Sequence, residues 1–273
     1  MCRLLAYVAP APTRISDVIG DGQCETFQRM GRLHDDGWGS MWVDEAGPER
    51  LLVRQRDPAT AFGDVRLHTA LHEEPPVRAR AFHLRLATGA LAIDRRNTHP
   101  FLRDGIGLAH NGSIFPSDRL RRMLIPEALA GVEGTTDSEL YHALVWQEAA
   151  AGVSLGHAVS RAVARLRAAY PSASLNAIVM NAEQMVVVHA SSIAAVPYEH
   201  FATCGLAPHE LPADHDESYY RIGMLRSADG AIAFSSSGLD RSGWVALPDD
   251  SMTVVDIDTA QVRTHLVRDL LAA

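Results

Sequence analysis

The chain has 273 residues, 47% hydrophobic and 21% charged, with a formal net charge of -8 at pH 7. That length buries a sizeable core without difficulty, and the composition is that of ordinary globular protein. The acidic balance and scattered arginines argue against a nucleic-acid or anionic-membrane surface, which would need clustered cations.

Taken in chain order, LLAYVA reads as a strand apolar enough to be buried on both faces. CETFQRMGR reads as a short helix, and GSMWV and LLVRQR as two strands joined by the turn DEAGPE. Asp57-Pro58 predicts a helix start, cap then first-turn proline, running to Pro75-Pro76. RARAFHLRLAT and GIGLAHNG read as strands, and the RLRRML run as the solvated face of a helix. TTDSELYHALVWQEAAAG predicts a threonine-capped helix ending at Gly152, and SLGHAVSRAVARLRAAYP a second one ending before Pro171. The short connection between them predicts an antiparallel pair.

Beyond Pro171 the pattern turns to hairpins: LNAIVMN with MVVVHAS, then YYRIGMLRS with AIAFSSS. WVALP, MTVVDID and VRTHLV complete a strand-rich end. Pro197 to Glu217, rich in Pro, His and Asp, reads as a loop. Strands, a helix pair and more strands predict an α+β class with a layered αββα architecture. With no repeat or linker visible, a single domain over 1–273 is expected. The apolar stretch LLAYVAPAP is too short and too proline-broken for a signal peptide, and no run is long enough to span a membrane. Three cysteines, Cys2, Cys24 and Cys204, make neither a disulfide framework nor a metal-type spacing, so a cytoplasmic location with reduced thiols is expected.

Cys2 is the residue with most chemical content. Loss of Met1 would leave a thiol and a free α-amine on one residue, and both groups titrate close to neutral pH. The amine could then take the thiol proton, directly or through one water, with no histidine. Taken alone, Cys2 reads better as a small buried residue at a strand start, since free cysteine usually behaves as a small hydrophobe.

Four downstream segments add to it: HDDGWGSMW (34–42), HLRLATGALAIDRRNTHPF (83–101), LAHNGSI (108–114) and GTTDSEL (134–140). With Met1-Cys2, their order and spacing resemble the class II glutamine amidotransferases, a family of N-terminal nucleophile hydrolases. The layout is most similar to the stand-alone branch that includes the γ-glutamyl amidohydrolase of ergothioneine biosynthesis.

The resemblance implies a four-layer αββα sandwich and hydrolysis of a γ-glutamyl amide through a thioester on Cys2. It implies an oxyanion pair from the Asn111 side chain and the Gly112 backbone N–H, although Asn-Gly by itself equally describes a hairpin turn. It implies Arg85 for the substrate α-carboxylate and Asp137 for its α-ammonium; a guanidinium fork suits a carboxylate, while an acidic residue at a helix start is also ordinary. Thr88 and His99 match positions lining the glutamine pocket, although a structural histidine before Pro100 also fits His99. Asp36, Gly37 and Trp38 are expected to shape the pocket floor near Cys2. Leu86 stands where relatives that feed a fused synthase often carry an aromatic.

No metal or organic cofactor is required by this chemistry. His68 and His72, four apart on a predicted helix, lack a third zinc ligand and the HExxH pattern. The histidines at 189, 200, 209 and 215 are expected in solvent, and Cys24 and Cys204 are expected to be inert. Three readings stay open. The chain could be a stand-alone hydrolase of a γ-glutamyl metabolite, a glutaminase subunit whose synthetase partner is a separate chain, or a glutamyl-ligand binder with an idle Cys2.

Overall fold

The structure, a computed structural model, describes residues 2–87, 91–203 and 205–271. Strand β1 (Arg3–Thr13) is followed by helices α1 (Ile15–Ile19) and α2 (Asp21–Arg29), then β2 (Trp38–Asp44), β3 (Leu51–Asp57), α3 (Val65–His72) and β4 (Val77–Leu84). A second stretch holds β5 (Phe101–Arg103), β6 (Ile106–Asn111), α4 (Ser117–Arg121), α5 (Pro126–Leu129), α6 (Asp137–Ala149) and α7 (Leu155–Ala169). The rest comprises β7 (Asn176–Met180), β8 (Gln184–His189), α8 (Tyr198–Thr203), β9 (Gly223–Arg226), β10 (Ile232–Ser235), β11 (Val245–Ala246), β12 (Ser251–Asp256), β13 (Val262–Leu266) and α9 (Val267–Leu271).

These strands form two antiparallel sheets, ordered β11-β9-β10-β1-β4-β2-β3 and β13-β12-β8-β7-β6-β5. Side-chain alternation along β1 shows how they stack, because successive residues point to opposite faces. Leu4, Ala6 and Val8 join Ala109, Ile178 and Val187 of the other sheet in a core between the sheets. Leu5, Tyr7 and Ala9 face outward onto Phe27, Leu67 and Leu71 of α2 and α3. The second sheet is covered on its far side by Leu140, Leu144, Val159 and Val163 of α6 and α7. The result is the four-layer αββα sandwich, with the start of β1 at the edge of the inter-sheet layer.

Three local expectations need correction. Asp57-Pro58 does not start a helix: Gly63 has φ 72°, a left-handed turn residue, and Asp64 caps α3 by accepting from the Arg66 amide at 2.8 Å. The Pro197–Glu217 segment carries α8 and a 3-10 turn at Pro208–Glu210. Nor are His189 and His215 solvated. His189 is buried beneath Pro248, and His215 packs edge-on against Tyr219 with ring centroids 5.1 Å apart.

Candidate active site

Cys2 lies just before β1 and is 5% exposed. As an even-numbered neighbour of Leu4, it faces the second sheet, where β6 ends at Asn111. The Cys2 backbone nitrogen sits 2.9 Å from Asn111 Oδ1, and its thiol points at the Leu86 carbonyl at 3.9 Å. The Asn111 carbonyl accepts from the Ser174 hydroxyl at 2.8 Å, so the residue is tied down by its own backbone. Asn111 Nδ2, by contrast, is buried with no partner. One end of this amide is therefore fixed on the Cys2 nitrogen, and the other end is a free donor beside it. Leaving a buried donor unpaired costs about 1–3 kcal/mol, which a ligand oxygen would relieve.

Gly112 follows directly. A Cβ there would fall on the Ser174 carbonyl and 2.6 Å from His110 Nε2, so glycine is required by packing. Its φ is not left-handed, which rules out the type I′ turn that Asn-Gly alone would suggest. His110 braces this corner: Nε2–H donates to the Ser174 carbonyl at 2.9 Å and Nδ1 accepts from the Ser138 hydroxyl at 2.9 Å. Burial lowers its basicity, with the nearby Asp137 pulling the other way. Asn176, opposite Asn111 in β7, ties in the 219–222 segment by donating to the Tyr220 carbonyl at 2.6 Å.

The 34–39 and 83–87 segments are joined rung by rung. Asp36 N donates to the Arg85 carbonyl at 3.1 Å, Arg85 N to the Gly37 carbonyl at 2.7 Å, and Ala87 N to Asp36 Oδ2 at 2.7 Å. Arg85 is 2% exposed, and its guanidinium rests on the carbonyls of Asp36 and Ala92 at 3.2 and 3.3 Å. No carboxylate among the described residues pairs with it, so its charge is available to an anionic ligand. Asp137 opens α6, with Oδ2 accepting from the Ile114 amide at 2.6 Å while Thr136 caps the helix.

His99 is buried with both ring nitrogens unpaired, stacked on His83 at 4.1 Å and against Phe101 at 4.7 Å. Burial holds His99 well below the usual imidazole range and pushes His83 down to about 3, so both rings are neutral. The Gly37 φ of 122° and its tight approach to the Asp57 carbonyl explain that glycine. Trp38 is not brought to the Cys2 side. Its indole packs in the helix-side core and donates to Asp64 Oδ2 at 3.0 Å. Thr88 lies outside the described residues, as does Cys204. Burial pushes the Cys24 thiol up to about 12, which makes it a poor nucleophile. His68 and His72 stack at 4.5 Å, and among the described residues no group of three or more His, Cys, Asp or Glu is placed to hold a metal ion.

Arg3, His34, His215 and Tyr219 gather on the far face of β1 from Cys2, and of these only His34 lies in a motif segment. The Arg3 guanidinium carbon lies 3.9 Å over the Tyr219 ring, and His34 meets His215 edge-on at 5.5 Å. The available signal was a charged residue inside an otherwise apolar strand.

The family model of class-II glutamine amidotransferases matches residues 1–220. The chain belongs to this family. Its reaction is accordingly cleavage of a γ-glutamyl amide through an N-terminal cysteine. Among curated relatives, the gamma-glutamyl-hercynylcysteine sulfoxide hydrolase of Mycobacterium tuberculosis (strain ATCC 25618 / H37Rv) is 26% identical over 93% of each chain. The protein of that name from Mycolicibacterium smegmatis (strain ATCC 700084 / mc(2)155) is 24% identical over 96% of this chain and 98% of its own. The glutamine–fructose-6-phosphate aminotransferase of Mesorhizobium japonicum (strain LMG 29417 / CECT 9101 / MAFF 303099) is 27% identical, but the match takes in only 29% of it. Of solved structures, a glutamine aminotransferase class-II domain protein from Silicibacter pomeroyi superposes with a TM-score of 0.61 at 21% identity, covering 97% of this chain and 100% of that one. The glutamine phosphoribosylpyrophosphate amidotransferase of B. subtilis gives 0.62 at 13% identity, covering 97% of this chain and 49% of that one.

Proposed function

We propose that the chain is a stand-alone amidohydrolase that removes the glutamyl group from a small γ-glutamyl metabolite, with Cys2, freed of Met1, as both nucleophile and base. The observation that carries this reading is the Asn111 amide, fixed on the Cys2 nitrogen at one end and buried without a partner at the other. Full-length similarity to hydrolases named for a γ-glutamyl substrate supports the stand-alone form.

In this mechanism the Cys2 α-amine takes the thiol proton and the thiolate attacks the γ-carbonyl carbon. The oxyanion receives Asn111 Nδ2–H and the Gly112 N–H, donors already oriented before the charge forms. Collapse breaks the C–N bond, and the leaving amine takes the proton held on the α-ammonium. Water, losing a proton to the same amine, then attacks the γ-glutamyl thioester and expels Cys2, releasing glutamate. Arg85 binds the α-carboxylate and Asp137 the α-ammonium, with His99 at the pocket wall and Asp36 and Gly37 holding the Arg85 segment. No step calls on a cofactor. We read the chain as one domain and, since Cys2 must stay reduced, as cytoplasmic. Among the described residues no helix is long and apolar enough to cross a membrane.

The deciding experiment measures glutamate release from glutamine and from a bulky γ-glutamyl amide, with Cys2→Ala alongside. Faster cleavage of the bulky amide, abolished in the variant, is the expected result. Turnover of glutamine alone, or turnover only with an added synthetase chain, would replace this reading with an ammonia-supplying subunit. Ligand binding without any turnover would end the enzyme reading.

A further inference from the structure

We propose that Arg3 is a positioning residue for the Cys2 nucleophile: it clamps the Cys2 carbonyl, and its unpaired buried charge keeps the α-amine of the processed chain deprotonated. This rests on the reading of Cys2 as nucleophile.

Arg3 is fully buried. Its Nε donates to the Cys2 carbonyl at 2.7 Å, and its Nη1 to the carbonyls of Tyr219 and Ser237 at 3.4 and 3.2 Å and to the Ser237 hydroxyl. Its Nη2 is buried with no partner. Among the described residues no carboxylate forms an ion pair with it. A buried cation is normally paired, because removing it from water without an anion is costly. What the charge adds falls on the residue whose carbonyl it holds. A guanidinium one residue away disfavours an ammonium at the Cys2 nitrogen, which leaves the amine free to act as the base.

Among the described residues, none of the groups surrounding Cys2 forms an ion pair with that charge. From the turn after α2 comes His34; from β4 and its extension, His83 and Arg85; from β6, His110; from α6, Asp137; from the 212–222 segment, His215, Tyr219 and Tyr220. Burial holds His34 well below the imidazole range and pushes His83 and His215 down to about 3; His110 is lowered too. Burial also drives the Tyr219 phenol up to about 12 and the Tyr220 phenol up as well. All six rings are neutral near pH 7. Arg3 and Arg85 are then the cations, opposed by Asp137 and by Asp36, whose carboxylate is taken by the Ala87 amide. Arg3 is the one hydrogen-bonded to Cys2 itself.

The test compares wild type with Arg3→Met, Arg3→Gln and Arg3→Lys. Its readouts are the acid limb of kcat/KM and the pH dependence of Cys2 alkylation by iodoacetamide. The acid limb and the alkylation profile should both move up by about one pH unit in the Met and Gln variants. Lysine, which restores the charge, should bring both back toward wild type. Gln keeps a donor for the carbonyls, so it decides the matter if Met does not fold. An unmoved limb in a folded, active Gln variant would overturn the proposal and leave Arg3 a structural residue. Wild type with neither turnover nor Cys2 alkylation would instead overturn the nucleophile reading, and this one with it.

Discussion

Asn111 shows how a single side chain can be read as chemistry. Its Oδ1 is committed to the Cys2 nitrogen and its carbonyl to Ser174, leaving Nδ2 as a buried donor that no protein atom uses. Asn111→Ala should therefore lower kcat by about 10²–10³, the cost typical of losing one oxyanion donor, with a smaller change in KM. Steady-state glutamate release from a γ-glutamyl amide measures this; a kcat within a few-fold of wild type would remove Asn111 from the oxyanion site. The candidates Cys2, Asn111, Gly112, Arg85 and Asp137 stand out from their order in the chain. His110, Asn176 and Arg3 do not, because each acts through partners distant in sequence: His110 on Ser174, Asn176 on Tyr220 and Arg3 on Ser237. Periodicity reports which face a residue occupies, not which carbonyl it will meet there.

At the scale of elements, strands and the helix pair were legible because burial repeats at their own periods. Leu155, Val159, Val163 and Leu166 all lie in the α7 core, and β7 and β8 are a hairpin with Val179 opposite Val186. Helix starts rest on one or two residues and are easily displaced. Asp57-Pro58 has the right letters, but Asp57 spends its carboxylate on the Ala59 amide and on Arg66, whereas Asp64 does the capping. Asp64 also accepts from the Trp38 indole, tying α3 to β2. Asp64→Ala removes a cap and strands a buried indole N–H, so it should cost about 1–3 kcal/mol in urea unfolding. Asp57→Ala, without the cap, should cost less; the reverse order would restore Asp57-Pro58 as the helix start. The 197–217 segment resisted reading for a different reason. Its buried Phe201 and half-buried His215 pack against Tyr219 just beyond it, a contact made by an irregular segment that carries no period.

For the whole molecule, the four layers place histidines where water does not reach, and this sets how stability responds to acid. Burial pushes His83 down to about 3 and His142 down to about 4, and holds His34 and His99 well below the imidazole range. His142, on α6, lies against β5 and β6 of the second sheet, donating from Nε2 to the Ile106 carbonyl at 2.8 Å and facing the Phe101 ring. In the unfolded chain these rings bind protons near pH 6.5. Between that value and their folded ones the unfolded state holds more protons, so stability falls as pH falls. Above about pH 6.5 neither state is protonated at these sites and their contribution is flat. Glu139 works in the opposite sense around the carboxylate range, because burial raises its carboxyl. Urea unfolding followed from pH 8 to 5 should therefore show a plateau and then a decline. Each buried histidine adds up to about 1.4 kcal/mol per pH unit to that decline. His142→Gln keeps a donor for Ile106 and removes one titrating ring, so its curve should start lower yet fall less steeply, by about one proton's worth. Parallel wild-type and variant curves between pH 6 and 5 would mean that His142 takes up its proton without unfolding, contrary to a ring sealed between the second sheet and its helices.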